Sequence, residues 1–389
     1  MKLHTVLPLL ALLVAAACSS SGNHGAPAAN DASDEATSGD DAGAADAEDA
    51  AGSYAQAVLS ATWKAVAGAP TVTGGAKQDD VFFSSASIGY AVSGPASTIY
   101  KTTDGGATWK SVFTHTGTYF RSLLFVDDDH GFASNLGPIA QSTVTDTNVL
   151  YQTANGGTTW YPVTAITGPM PTGICNQTMI DSLHLVAVGR VEGPSYMMMS
   201  SDGGGTWTST DLNSQLQMLI DARFTSPTDG IVVGGSAGRT MYCSILHTTD
   251  GGGSWQQVFQ SATPSSLCWK INFPSTQVGY VSVQDAAGGK PTFAKTTDGG
   301  TSWTEMPLEN AGTGYAGIGV GFITEDIGWI SADDVTAPTL RTIDGGLTWT
   351  KDSALLSPIN RFRFLGPTTA FAIGATIWHL DVPWTGGDP

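Results

Sequence analysis

One eight-residue stretch decides the fold, because the chain contains six near-copies of it. The copies are TTDGGATW (102–109), TANGGTTW (153–160), SSDGGGTW (200–207), TTDGGGSW (248–255), TTDGGTSW (296–303) and TIDGGLTW (342–349). Their closing tryptophans, Trp109, Trp160, Trp207, Trp255, Trp303 and Trp349, follow one another at intervals of 51, 47, 48, 48 and 46 residues. A nearly fixed period of this length indicates an array of repeated structural units.

Each copy has the composition of a tight turn between two short strands. Its paired glycines adopt positive φ without steric cost, so the chain can reverse there. The third position carries an acceptor for hydrogen bonds within the turn: Asp104, Asn155, Asp202, Asp250, Asp298 and Asp344. We expect the closing tryptophan to bury its ring beside the next unit.

The pattern S/T-x-D-G-G-x-T/S-W resembles the Asp-box, or bacterial neuraminidase repeat, and the resemblance covers about residues 60–381. It implies a β-propeller in which each box joins the third and fourth strands of a blade. The box aspartates could be catalytic or metal-binding, or they could stabilise their own turns. The second interpretation is favoured, because in Asp-box families the box lies away from the binding site.

The units between the boxes predict an all-β, single seven-bladed propeller. Each unit pairs two strands through a polar, glycine-containing turn, at 79–93, 120–134, 175–189, 220–234, 269–283 and 319–331. A seventh unit, 360–374 with 376–381, has no box and no fourth strand after it. ATWKAV (61–66) resembles the segment that follows a box, so the two termini are predicted to share blade seven. Such closure protects the strand edges.

The amino terminus predicts export to the bacterial cell envelope. Residues 1–17 combine Lys2 with a short apolar stretch, as in a secretory signal. Ala15-Ala16-Ala17-Cys18 resembles a bacterial lipobox, although Ala15 replaces the usual leucine; ordinary cleavage after Ala17 is the alternative. We predict lipidation at Cys18, a low-complexity tether over 18–57, the propeller over 58–382 and a tail over 383–389.

Charge and composition narrow the classes of partner. The net charge is −18, and residues 31–49 hold eight acidic residues and no basic one. A net-acidic chain without a basic tract argues against nucleic acid. We expect a monomer that touches a membrane only through its lipid, on the outer-membrane or periplasmic side, and that needs no cofactor or metal. DDDHG (127–131) is interpreted as a solvated turn rather than a metal site.

Basic residues recur on the predicted innermost strands, which line the channel of a propeller. They are Arg121, Arg223, Lys270, Arg361 and Arg363. One interpretation is a cluster around the axis that grips an acidic or carboxyl-bearing partner. The other is internal pairing with Asp79, Asp80 or Asp221.

Three cysteines remain after Cys18, and an exported chain permits a disulfide. Cys243 and Cys268 should lie at the same end of neighbouring blades, so this pair is favoured and Cys175 is left over. Three free thiols remain the alternative.

Two functions fit the pattern. The F…GYA/GW…TTDGGxTW unit is similar to exported propellers of the photosystem II stability and assembly factor type, which implies a non-catalytic scaffold that binds a protein, or a glycan. The rival is a glycoside hydrolase similar to sialidases or Asp-box glucanases. A sialidase usually has an Arg-Ile-Pro signature before the first box, whereas residues 79–100 contain no arginine. A glucanase usually has two propellers, and this chain has room for one.

Overall fold

The computed structural model describes residues 52–139, 143–285 and 288–386. The predicted signal (1–17), Cys18 and the tether as far as residue 51 lie outside the described residues. Within them, 29 β-strands form seven sheets, and each sheet is one blade of a propeller. The predicted fold is therefore confirmed. No helix among the described residues is long and apolar enough to cross a bilayer.

The strands are numbered β1 to β29 in chain order, and they pair in sequence order within each blade except where β10 pairs with β14 and β1 pairs with β29. β1 (Lys64–Ala65) precedes the first full blade. Blade 1 contains β2 (Asp80–Phe83), β3 (Gly89–Ser93), β4 (Thr98–Thr102) and β5 (Lys110–Thr114). Blade 2 contains β6 (Phe120–Phe125), β7 (His130–Asn135), β8 (Leu150–Ala154) and β9 (Tyr161–Pro162). Blade 3 contains β10 (Ile166–Thr167), β11 (Asn176–Met179), β12 (Leu185–Gly189), β13 (Tyr196–Ser200) and β14 (Trp207–Asp211). β10 adds a fifth, parallel strand outside β14.

The remaining blades have four strands each. Blades 4 to 7 contain β15 (Leu216–Phe224), β16 (Gly230–Ser236), β17 (Cys243–Thr248) and β18 (Gln256–Gln260); β19 (Ser266–Asn272), β20 (Gly279–Asp285), β21 (Thr292–Thr296) and β22 (Thr304–Pro307); β23 (Gly317–Phe322), β24 (Gly328–Ala332), β25 (Pro338–Thr342) and β26 (Thr350–Leu356); and β27 (Ile359–Phe364), β28 (Thr369–Gly374) and β29 (Ile377–Asp381) with β1. Every box lies between the third and fourth strands of its blade, as the resemblance implied.

The two termini close the ring in blade 7. β1 pairs antiparallel with β29, so that Lys64 lies opposite His379 and Ala65 opposite Trp378. The first strands of neighbouring blades lie against one another around the axis, from β2 through β6, β11, β15, β19, β23 and β27 back to β2. The predicted sharing of blade seven is thus confirmed.

Apolar cores fill the spaces between neighbouring blades, and the box tryptophans belong to these cores. Trp349 of blade 6 lies 5.4 Å from the ring of Phe293 in blade 5, and Trp207 of blade 3 lies 5.7 Å from that of Phe132 in blade 2. The rings therefore pack toward the preceding blade, and the expectation of burial beside the next unit is wrong. The indole N–H of Trp349 donates to the carbonyl of Gly346 at 3.1 Å, which folds the ring back over its own turn.

A helix over residues 52–60 extends the folded region beyond its predicted start at residue 58. Tyr54 and Val58 are buried in the core between blades 6 and 7. The Tyr54 hydroxyl donates to the carbonyl of Pro367 at 2.8 Å, and Trp384 packs edge-on against the Tyr54 ring. Residues 52–57 are therefore not part of a tether, and Trp384, assigned above to the tail, packs against the core. The low-complexity composition did not indicate this helix, because its packing depends on two apolar side chains four residues apart.

Cys243 and Cys268 form a disulfide between blades 4 and 5, as favoured above. Cys175 is a free, buried thiol.

Candidate functional site

The box aspartates direct their hydrogen bonds into their own turns. Asp104 Oδ1 accepts from the Thr102 hydroxyl at 2.7 Å and from the Thr108 backbone N–H at 2.8 Å, and Oδ2 accepts from the Thr108 hydroxyl at 2.5 Å. Asp202, Asp250, Asp298 and Asp344 repeat this pattern. In the second box, Asn155 Oδ1 accepts the equivalent backbone N–H, and its amide nitrogen donates to Thr159.

These hydrogen bonds favour the ionised carboxylate. They lower the pKa of Asp104, Asp202 and Asp298 to about 2, and the largest contribution comes from the residue four positions later in each turn. A carboxylate held in this way is a poor general acid and has its oxygens engaged within the turn. The geometry is that of a structural turn.

Four of the five predicted basic residues meet at the axis of the ring. Arg121 forms a buried ion pair with Asp79. Arg361 lies between two carboxylates: its Nε is 3.6 Å from Asp80 Oδ1 and its Nη1 is 3.3 Å from Asp221 Oδ2. These residues come from blades 1, 2, 4 and 7, so the ring closure itself brings the charges together.

Arg363 lies two residues after Arg361 on the same face of β27, closer to the side of the ring that carries the boxes. Its Nη2 lies 3.0 Å from both carboxylate oxygens of Asp80, and its Nε donates to the carbonyl of Val81 at 3.0 Å. Its side chain is 26% exposed, in contrast to the nearly buried Arg361. The axial arginines therefore have internal carboxylate partners, which is the alternative left open above.

Lys270 also lies at the axis. The groups that act on its charge come from four other blades: Arg121, Cys175, Asp221 and Arg361. Burial, followed by the repulsion of Arg361, lowers the pKa of Lys270 to about 7.

Arg223 does not join this cluster, and its predicted approach to the axis is wrong. Its guanidinium carbon lies 4.0 Å from the centre of the Phe273 ring, in a cation–π contact between blades 4 and 5. Arg223 lies one strand position before Phe224, close to the end of β15, so the side chain reaches the neighbouring blade instead of the channel.

Apolar side chains pack together at the end of the first strands away from the boxes. They form one buried cluster: Leu136, Cys175, Ile220, Leu267, Trp269 and Ile318. Arg190, which sequence reasoning missed, is buried on this side and donates to the carbonyls of Gly193, Leu136 and Pro138 at 2.6–3.1 Å. It lies in the loop after β12, where the repeat pattern carries no signal.

A cleft of about 1090 Å³ opens on the side of the ring that carries the boxes. We call it the box-face cleft; it lies between helix 52–60 and blades 5 to 7. Its apolar lining includes Leu59, Pro274, Ile323, Ile327, Ile343, Phe364 and Pro367. Arg363 lines it as well, which joins the cleft to the axial charges, and the exposed Glu325 and Asp326 lie at its rim.

The sixth box supplies the cleft with an unusual apolar edge. Its two variable positions are Ile343 and Leu347, which are 52% and 68% exposed. The other five boxes have threonine, alanine, serine or glycine at both positions. This signal was present in the sequence, but only the structure shows that Ile343 lines a cleft.

Residues 198–316 match the family model described as photosynthesis system II assembly factor YCF48. The predicted resemblance to propellers of this type is therefore confirmed. No curated protein matches the sequence.

The fold is similar to that of three solved structures, among others. A structure titled YCF48 bound to D1 peptide is 18% identical, with a TM-score of 0.59, over 83% of this chain and 97% of the other. YCF48 from Cyanidioschyzon merolae is 17% identical, with a TM-score of 0.61, over 83% and 99%. A GH74 xyloglucanase from Xanthomonas campestris is 15% identical, with a TM-score of 0.56, over 85% of this chain and 55% of the other. Identities this low show a common fold and nothing more.

Proposed function

We propose that this chain is an exported, lipid-anchored, non-catalytic propeller that binds a segment of a partner protein in the box-face cleft. The family match over residues 198–316 supports a protein-binding role. A propeller of similar fold has been solved with a bound peptide. The signal-like residues 1–17 and the lipobox-like sequence at Cys18 support export and anchoring.

The apolar edge of the sixth box carries the proposal. Ile343 and Leu347 expose their side chains, whereas the equivalent positions of the other boxes carry small or polar residues, and Ile343 lies directly on the box-face cleft. Exposed apolar surface beside a recess is typical of a site that a partner covers. No requirement of the turn explains these two residues, because five other boxes form the same turn without them.

The charges around the cleft indicate which segments it accepts. Arg363 is already paired with Asp80, while Glu325 and Asp326 are exposed at the rim. The cleft therefore suits an extended segment with apolar side chains and a basic flank. The arginines of the axis are paired with internal carboxylates, so they do not support the acidic partner considered from the sequence.

Photo-crosslinking in intact cells tests the proposal. A crosslinking residue at position 347 should capture one defined protein, and the same residue at position 158, the equivalent site in box 2, should not. The Ile343→Asp/Leu347→Asp variant should lose that capture. The matched control, Ala154→Asp/Thr158→Asp, adds the same charge at two exposed box positions and should keep it.

Other outcomes would contradict the proposal. Equal capture from both positions, or unchanged capture by the Ile343→Asp/Leu347→Asp variant, would place the partner elsewhere. Binding of the purified chain to a glycan array, abolished by the same variant, would replace the protein partner by a glycan. Hydrolysis of a glycoside by the purified chain would establish the rival, enzymatic function.

A further inference from the structure

The carboxylates at the axis are already bound by donors other than Lys270. Asp221 Oδ1 accepts from the side-chain amide of Asn176 and from the Ala222 N–H at 2.9 Å. Asp221 Oδ2 accepts from the Ile271 N–H and from Arg361, each at 3.3 Å. Four donors thus occupy this one carboxylate.

The two other axial carboxylates are occupied in the same way, by backbone N–H groups and arginines. The donors to Asp80 are Val81, Leu123 and Arg363, and the donors to Asp79 are Gly94 and Arg121. Each carboxylate is therefore satisfied without Lys270.

Lys270 is the remaining charge, and it is buried without a counterion of its own. It is 2% exposed, and no ion pair among the described residues includes its Nζ. The carboxylate that acts on its charge, Asp221, is already paired with Arg361. The axis gathers four cations, Arg121, Lys270, Arg361 and Arg363, against three carboxylates. Burial also raises the pKa of Asp79, which disfavours its charged form. The pair of Asp79 and Arg121 therefore supplies no negative charge to balance Lys270.

An uncompensated buried ammonium is costly, and it either loses its proton or acquires an anion. Two further donors at the axis favour the second outcome. Arg121 Nε and Arg361 Nε are buried and have no hydrogen-bond partner among the described residues, since the 3.6 Å between Arg361 Nε and Asp80 Oδ1 is an ion-pair distance too long for a hydrogen bond. A lysine that was simply neutral would leave both of these guanidinium N–H groups unsatisfied.

We propose that the axial channel binds one small monovalent anion, of halide or nitrate size, beside the Lys270 ammonium. The anion completes the charge balance of the axis and accepts hydrogen bonds from the lysine and the neighbouring arginines. It enters from the box-face cleft past Arg363, which lines that cleft, since the cluster around Trp269 at the other end is apolar and buried. This site is independent of the protein-binding role proposed above.

The site is coupled to pH through Lys270. The titratable and charged groups that face it are Arg121, Cys175, Asp221 and Arg361. The pKa of about 7 applies to the empty site, and a bound anion raises it, since the anion favours the ammonium. Anion affinity is therefore constant below pH 7, and the apparent Kd increases about tenfold per pH unit above it.

Thermal unfolding of the full chain in chloride, with gluconate as the bulky replacement at constant ionic strength, tests the proposal. At pH 6 the Tm of the wild type should begin to rise when chloride exceeds its Kd and should then increase with the logarithm of the chloride concentration. At pH 9 the same rise should need about a hundredfold more chloride. Lys270→Met should abolish the chloride dependence. Arg223→Met, which removes a cation outside the axis, should keep it.

The same dependence in Lys270→Met, or none in the wild type at pH 6, overturns the proposal. If Lys270→Met does not fold, wild-type crystals grown below pH 7 and soaked in bromide provide the second measurement. An anomalous peak within hydrogen-bond distance of Lys270 Nζ supports the site. Its absence there, including the case of bromide bound only on the surface, overturns it.

Discussion

Trp63 is expected to hold the ring closed, rather than the two-residue strand that follows it. β1 contains only Lys64 and Ala65, and both are exposed. Trp63 is 3% exposed and lies 5.5 Å from the ring of Trp329 and 5.9 Å from that of Phe362, in the core between blades 6 and 7. We therefore expect the burial of this side chain to contribute more to retaining the closing strand than the two exposed residues of β1 do.

Trp63→Ala should lower the free energy of unfolding by about 3–5 kcal/mol, the range for truncating a fully buried large aromatic side chain. The loss combines the transfer of the indole from water with the cavity left beside Trp329 and Phe362. Urea unfolding followed by circular dichroism measures it. Limited proteolysis should also cut the N-terminal segment of this variant faster than that of the wild type.

Two controls separate burial from strand pairing. Lys64→Ala keeps the backbone ladder and should change the free energy of unfolding by less than about 0.5 kcal/mol. Trp63→Phe loses no hydrogen bond, because Nε1 of Trp63 has no partner among the described residues, and should cost about 1–2 kcal/mol. A loss below about 1 kcal/mol for Trp63→Ala, or an equal loss for Lys64→Ala, would refute the reasoning.

Four further predictions concern the boxes, the disulfide, the anchor and the axis. The pKa of Asp202 is about 2 in the folded protein, against an ordinary value of 3.8. The ionised carboxylate therefore stabilises the fold above pH 4, and this stabilisation is lost as the pH falls through 2. Between pH 4 and 2 the free energy of unfolding of Asp202→Asn should depend on pH less than that of the wild type. Removing the Cys243–Cys268 disulfide, which spans 25 residues, with a double serine variant should lower the free energy of unfolding by about 3 kcal/mol in urea titrations. Palmitate labelling should depend on Cys18, and Cys18→Ser should appear in the soluble fraction; equal membrane retention would contradict the anchor. Arg361→Glu should prevent folding, measured by circular dichroism, because it would face two buried carboxylates; a folded variant would show that this ion pairing is dispensable.

The local elements of the fold could be read from the sequence. Each box defines its turn within eight residues, and the period of about 48 residues sets the blade count. The orphan segment 61–66 and the incomplete last unit together indicated the shared blade. The disulfide followed from the same register, because it places Cys243 and Cys268 at one end of neighbouring blades.

The site depended on contacts that no local pattern encodes. Arg363 and Asp80 are 283 residues apart in sequence, and Arg361 and Asp221 are 140 apart, yet they meet at the axis. The sequence could place basic side chains on innermost strands, but whether each reaches an acid, a neighbouring blade or the channel depends on the geometry of the ring. Arg223 stacks on Phe273 because it lies near the end of its strand. Lys270 has no ion pair within the part of the chain that the structure describes, where arginines pair with Asp79, Asp80 and Asp221.

The sequence by itself determined the repeated turn, the number of blades and the closure of the ring, since these follow from hydrogen bonding and strand alternation within short segments. Only the tertiary structure decided which charges are neutralised, where helix 52–60 packs and where a cleft opens. Those features arise from side chains that converge from distant blades, and their energies depend on burial and distance, which exist only once the ring has closed.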